Sequence, residues 1–147
     1  MKRQILTAFT AATLLVALTV VVQAQTATQS ELIATVPFEF HVGDRTMPAG
    51  IYRVTCINPS SSSRVLRFRS ADGRRTALIQ TRNAIGNTQD DARVVFRRYD
   101  NAVYFAEAWF SADSVGLAAR KSRQEKADEK LASAKPKIET ITLVRAR

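Results

Sequence analysis

A catalytic triad needs an imidazole to take the nucleophile's proton, and the chain holds one histidine, His41. It falls on the polar side of the alternating segment Phe38-Glu39-Phe40-His41-Val42, where a solvated strand residue accounts for it most simply. The serines from Ser60 to Ser63 lack a Gly-x-Ser-x-Gly elbow and a neighbouring base, so they read as a solvated loop. Zinc draws several Cys and His ligands at short spacing, which one histidine and one cysteine, Cys56, cannot supply. Asn87, Asp90 and Asp91 offer oxygens that calcium could use, but the EF-hand spacing is absent and they read as loop acids. Two strand-borne carboxylates, Glu39 and Glu107, are the candidates for flanking a glycosidic bond. The competing account gives Glu107 a structural role beside an arginine such as Arg98. Phosphate loops and dinucleotide fingerprints are missing, and no cofactor is expected.

Arginine is the side chain this chain uses most heavily for charge. Of its 147 residues, 22 are Lys or Arg against 13 Asp or Glu, a formal charge of +9. A guanidinium presents a planar fork that matches carboxylate and phosphate, so Arg67, Arg69 and Arg97, with Tyr99 and Tyr104 close by, are candidate contacts for a polyanion. Basic residues interleaved with aromatics could also hold single-stranded nucleic acid. Tyrosines bridging a sheet edge and solvent explain the same residues without a ligand, and no specific nucleic-acid partner is expected.

The elements that must position these groups are strands. Val36 to Val54 reads as two strands joined by Gly43-Asp44 and Pro48-Ala49-Gly50, and Pro37 marks an edge or a bulge. In the second of them Tyr52, Val54 and Cys56 share a side, which makes Cys56 most simply a small buried apolar residue, with a reactive thiol or an intermolecular disulfide as the alternative. Val65 to Arg69 turns Leu66 and Phe68 inward and Arg67 and Arg69 outward. Asp72-Gly73 then supplies a turn into a partner strand, Thr76 to Arg82. Asn83 to Asp91 reads as an exposed loop. Arg93 to Tyr99 and Ala102 to Phe110 form a hairpin about Asp100-Asn101. Its register sets Phe96 opposite Phe105 and puts Trp109 and Glu107 on the same side, as core or as a pocket lining.

Ser111 to Lys121, with Gly116 and alternating small residues, looks irregular or weakly extended. Ser122-Arg-Gln-Glu125 fits a capping box that opens a helix over residues 122–134, with Ala127, Leu131 and Ala134 as its apolar stripe and Pro136 beyond it. Ile138 to Val144 returns to period two. The sum is one all-β domain over residues 31–147. We expect an antiparallel sandwich or partly open barrel of about seven or eight strands, with one short helix before the last.

The N-terminus sets the expected compartment. Lys2-Arg3 precede an uncharged run from Ile5 to Val22, followed by Val22-Gln23-Ala24, the layout of a cleavable signal peptide. Cutting after Ala24 removes Lys2 and Arg3 and takes the charge from +9 to +7. An uncleaved anchor is the alternative, since the run is near the lower limit for a bilayer span. Residues 25–30 read as a flexible lead.

The ordered motifs Val36-Pro-Phe-x-Phe-x-Val-Gly, Pro48-Ala-Gly-x-Tyr-x-Val54, Arg69-Ser-Ala-Asp-Gly73, Val95-Phe-Arg-Arg-Tyr99, Tyr104-Phe105, Trp109 and Ser122-Arg-x-Glu125 resemble a group of small uncharacterised exported bacterial β-proteins. That resemblance implies export and fold, and it implies no activity, cofactor or catalytic residue. The functional expectation is a non-enzymatic binding or structural module, periplasmic or secreted. Its expected contacts are anionic glycan, a lipid surface or an envelope protein, with no transmembrane segment after cleavage. A small apolar-ligand carrier with a pocket lined by Phe96, Phe105 and Trp109, and a glycosidase using Glu39 and Glu107, are the alternatives.

Overall fold

The computed structural model describes residues 31–88, 90–110 and 113–145. The expected signal peptide over residues 1–24 and the lead over 25–30 lie outside the described residues. β1 (Glu31–Val36) alternates from its start, burying Leu32, Ala34 and Val36. Pro37, which has no N–H to donate, follows it. The segment read as one strand around Phe40 is a small hairpin, β2 (Phe40–Val42) and β3 (Arg45–Met47), turned at Gly43 with φ of 61°. Glycine reaches that left-handed conformation without a Cβ clash.

Next come β4 (Gly50–Cys56) and β5 (Val65–Ser70), then the ten residues of β6 (Thr76–Ile85). The expected loop after Arg82 is partly strand, because β6 pairs with β5 along its first half and with a later strand along its second. β7 (Arg93–Arg98) and β8 (Val103–Trp109) form the expected hairpin, closed by the Tyr99 N–H donating to the Ala102 carbonyl at 2.8 Å. The stretch read as irregular or weakly extended contains β9 (Val115–Ala119), which lies between β6 and β8. Helix α1 (Arg123–Leu131) precedes β10 (Lys137–Thr142) and β11 (Val144–Arg145).

The expected all-β architecture with one short helix near the C-terminus is observed, and its strands form one mixed, open sheet. The order is β10-β7-β8-β9-β6-β5-β4-β1-β11, with β2 and β3 off this path. Pairing is antiparallel apart from β2 against β8 at His41 and Tyr104. The short β2, β3 and β11, together with β9, raise the count above seven or eight. The sheet does not close into a barrel, yet β10 pairs with β7 while β11 pairs with β1. Consecutive segments of chain therefore line both of its ends, with the N–H of Leu143 between them donating to the Ala92 carbonyl at 2.8 Å.

Aromatic rings fill the concave side. Phe40 meets Tyr52 at 5.2 Å and Phe96 at 5.3 Å, and Phe68 meets Phe105 at 4.9 Å, all edge to face. Burying each large ring contributes on the order of 2 kcal/mol. Phe96 does face Phe105, but the register shifts between Val95 and Phe96, so that Val95 lies opposite Glu107. Ala106 is the extra residue of a bulge, and it turns the rest of β8 over. Val103, Phe105 and Ala108 join the main core, whereas Ala106 and Trp109 pack with Val95 in a separate cluster. The expectation that Trp109 and Glu107 share the side of Phe96 and Phe105 is thereby corrected.

Candidate functional site

Alternation along β1, β4 and β5 buries Leu32, Val54, Leu66 and Phe68 and sends their neighbours to the convex side. Arg53 stands directly opposite Arg69, and Thr55 opposite Arg67, with Glu31 opposite Thr55 on the next strand. Three arginines thus share one face of two adjacent strands. They line an open cleft of about 350 Å³ with Glu31 and the Ser70 to Gly73 turn. Like charges directly opposite one another destabilise a strand pair, and an anion between them offsets that cost.

Little in the cleft neutralises the arginines. Arg53 donates through Nη1 to Glu31 Oε1 at 2.7 Å, an ion pair that remains open to water. The Nε of Arg67 is buried without a hydrogen-bond partner, while Arg69 is exposed. The turn acid Asp72 accepts from the Ser70 hydroxyl at 2.5 Å and from the Arg74 N–H at 3.0 Å. Those bonds hold its carboxyl below the usual range, the serine contributing most, and direct it into its own turn. At Gly73, with φ of 71°, a Cβ would come within 3.1 Å of Arg69 Nη2, so the glycine lets the turn lie against that guanidinium.

Of the five candidate polyanion contacts, Arg67 and Arg69 stand in this cleft. Arg97, Tyr99 and Tyr104 do not: α1 covers them. Arg97 donates through Nε to Glu125 Oε1 at 2.5 Å and through Nη2 to Oε2 at 3.3 Å, and the Tyr99 hydroxyl donates to Oε1 at 3.1 Å. The Tyr104 hydroxyl donates to Asp128 at 2.5 Å, and its ring stacks on His41 at 4.7 Å. Burial and these carboxylates push the Tyr99 phenol up to about 12 and raise that of Tyr104 as well.

Ser122 caps the helix as read, accepting from the Glu125 N–H at 3.1 Å, but the Glu125 side chain turns to the sheet and not back to the cap. The expected apolar stripe is also corrected. Ala127, Leu131 and Ala134 are exposed, and the docking face is Glu125, Asp128 and Glu129, the last bonded to Lys121. The helix stops at Leu131, short of residue 134. Ala132 is extended there, and the Ser133 N–H is held by Asp100 at 3.0 Å. Arg53 also lines the cleft and is not among the five candidate contacts, although the alternation Tyr52-Arg53-Val54 already turns it outward.

The remaining candidates serve packing. Phe96 is fully buried against Phe38, Phe40 and Phe105. Trp109 lies over Gly116 and Gly86, where an added Cβ would sit 2.6 Å from the indole in both cases. Its Nε1 donates to Glu107 at 2.8 Å, and Arg93 lies over its ring at 5.7 Å. Arg98 bonds Glu139, not Glu107. Glu39 is exposed between β1 and β2, and Cys56 is buried and free. Among the described residues, no three His, Cys, Asp or Glu gather as a metal site, and no helix is long and apolar enough to cross a membrane. No protein-family model, curated protein or solved structure matches the chain.

Proposed function

We propose that this chain is an exported, non-enzymatic binding module that holds anionic groups of the cell envelope on the convex face of β1, β4 and β5. The observation that carries this reading is the facing pair Arg53 and Arg69 beside Arg67, three cationic forks with Glu31 as their one direct ion-pair partner among the described residues. Arginine forks select carboxylate or phosphate by geometry as well as charge. The signal-like N-terminus and the resemblance to small exported β-proteins support the compartment. The carrier alternative needs Phe96, Phe105 and Trp109 around one pocket, and it loses support because Trp109 lies on the opposite face and the two phenylalanines pack against other rings. Glycosidase chemistry finds Glu107 already engaged by Trp109.

Retention of the purified protein on immobilised heparin at low salt tests the reading. Wild type should be retained and elute as salt rises, because exposed charges are screened. The triple variant Arg53→Gln, Arg67→Gln, Arg69→Gln, still folded by circular dichroism, should elute much earlier. Equal elution of the two would overturn the assignment to this face.

A further inference from the structure

The two halves of the convex face differ in what covers them. Over β7 and β8, α1 lies on Arg97, Tyr99 and Tyr104, and next to it Trp109 packs down on Gly116 and Gly86. No described element covers β4 and β5 in this way, and there the arginines alternate with aliphatic side chains. Leu78 stands opposite Arg67 and is 57% exposed. Ile51, two positions before Arg53 on the same side of β4, is 49% exposed, and Ile57 at the far end of that row is 38% exposed. Half of the large exposed hydrophobic residues among those described, three of six, therefore share the face that carries the arginine cleft.

The chemistry of this mixture discriminates between anionic partners. A single-stranded nucleic acid is gripped by exposed aromatic rings that stack on its bases, and a sugar chain lacks an apolar layer to receive aliphatic side chains. The three tyrosines and the one tryptophan of this chain are all buried, none more than 5% exposed. Branched aliphatic side chains set among guanidinium groups suit a different surface, where phosphates lie in one plane and acyl chains begin just beneath it. Arginine keeps its charged end among headgroups while its stem lies against apolar material.

We infer that the occupant of this face is the surface of an anionic bilayer, on which the chain lies as a peripheral protein with Arg53, Arg67 and Arg69 on lipid phosphates and Ile51 and Leu78 at the acyl boundary. This rests on the anion-binding reading above and names its partner. Glu31 at the margin of the cleft remains with Arg53, which leaves Arg67 and Arg69 as the principal phosphate contacts.

The test is flotation with phosphatidylcholine vesicles prepared with and without phosphatidylglycerol, run beside heparin retention. Wild type should float with the phosphatidylglycerol vesicles and stay behind with phosphatidylcholine alone. The double variant Ile51→Ser, Leu78→Ser should keep its heparin retention and bind the anionic vesicles about tenfold more weakly, the scale of withdrawing an aliphatic side chain from an apolar phase. Vesicle binding unchanged in that variant would overturn the inference, as would heparin retention without any vesicle binding by wild type; both leave the anion-binding reading standing. Failure to bind either probe would remove both. A lipid-free dimer abolished by the same two substitutions would also overturn the inference, by making a second copy the occupant.

Discussion

Glu125 is 2% exposed, and its carboxylate is satisfied by one guanidinium and one phenol, both from the β7–β8 hairpin. The Glu125→Gln variant keeps the size of the side chain and the backbone bond to Ser122, but leaves Arg97 buried beside a neutral amide. Removing one partner of a buried charged pair should cost about 2–3 kcal/mol, read as a lower urea midpoint with an unchanged slope. Tyr99 brings a pH dependence of definite sign. Its phenol moves from an ordinary 10 up to about 12 in the fold, so the stability it contributes is fully present below about 10 and is lost as pH rises through about 12. An alkaline titration followed by tyrosinate absorbance and circular dichroism should show the loss in that window, and Tyr99→Phe should reduce it, leaving the part due to the raised Tyr104 phenol. The acid side runs the other way. Arg98 holds the Glu139 carboxyl below its usual range, so the stability from that pair is present at neutral pH and is lost as pH falls through the folded-state value. The cap at Ser122 was legible because a capping box is local. The destination of the Glu125 side chain was not, because its partner Arg97 lies 28 residues earlier and only the sheet brings it near.

At the scale of elements, the bulge at Ala106 decides what β8 does. Period two carries a register outward from its turn, and the turn at Asp100-Asn101 was legible in the sequence, so the Phe96–Phe105 pair follows from it. One additional residue then moved Trp109 and Glu107 to the other face, and no residue in Phe105-Ala-Glu-Ala-Trp109 announces it. The same tryptophan explains why β9 was obscure: the strand beneath an indole must be built from small residues, and Val115-Gly-Leu-Ala-Ala119 lacks the branched composition that signals a strand. Gly116→Ala tests this packing. A methyl group placed 2.6 Å from the ring must displace it, at a cost of about 1–3 kcal/mol, and tryptophan emission should shift to the red as the indole becomes wetter. Helix α1 shows another limit of pattern reading. Amphipathic spacing points to Ala127, Leu131 and Ala134 as its docking face, whereas hydrogen bonds from Arg97, Tyr99 and Tyr104 hold it by its acids.

For the whole molecule, stability rests on rings packed edge to face within one curved sheet, since its single cysteine leaves no intrachain disulfide to add. Phe96→Ala should therefore be among the most damaging single changes, about 3–5 kcal/mol, with far-ultraviolet and aromatic signals lost together in one transition. The sheet-rich class, the buried alternation of β4 and β5 and the outward arginines could all be read from local periodicity. Strand order could not, because it is set by pairings between residues far apart in sequence. The position of residues 137–145 has a bearing on biogenesis. A chain that emerges from a ribosome or a translocase in sequence order presents β1 early and β7 midway, and each keeps a row of unsatisfied N–H and C=O groups until this late segment arrives to cover it. Vectorial synthesis would thus hold these strands short of their final hydrogen-bonding until residues 137–145 had come through, and a product truncated before Lys137 would carry two adhesive borders into a crowded compartment.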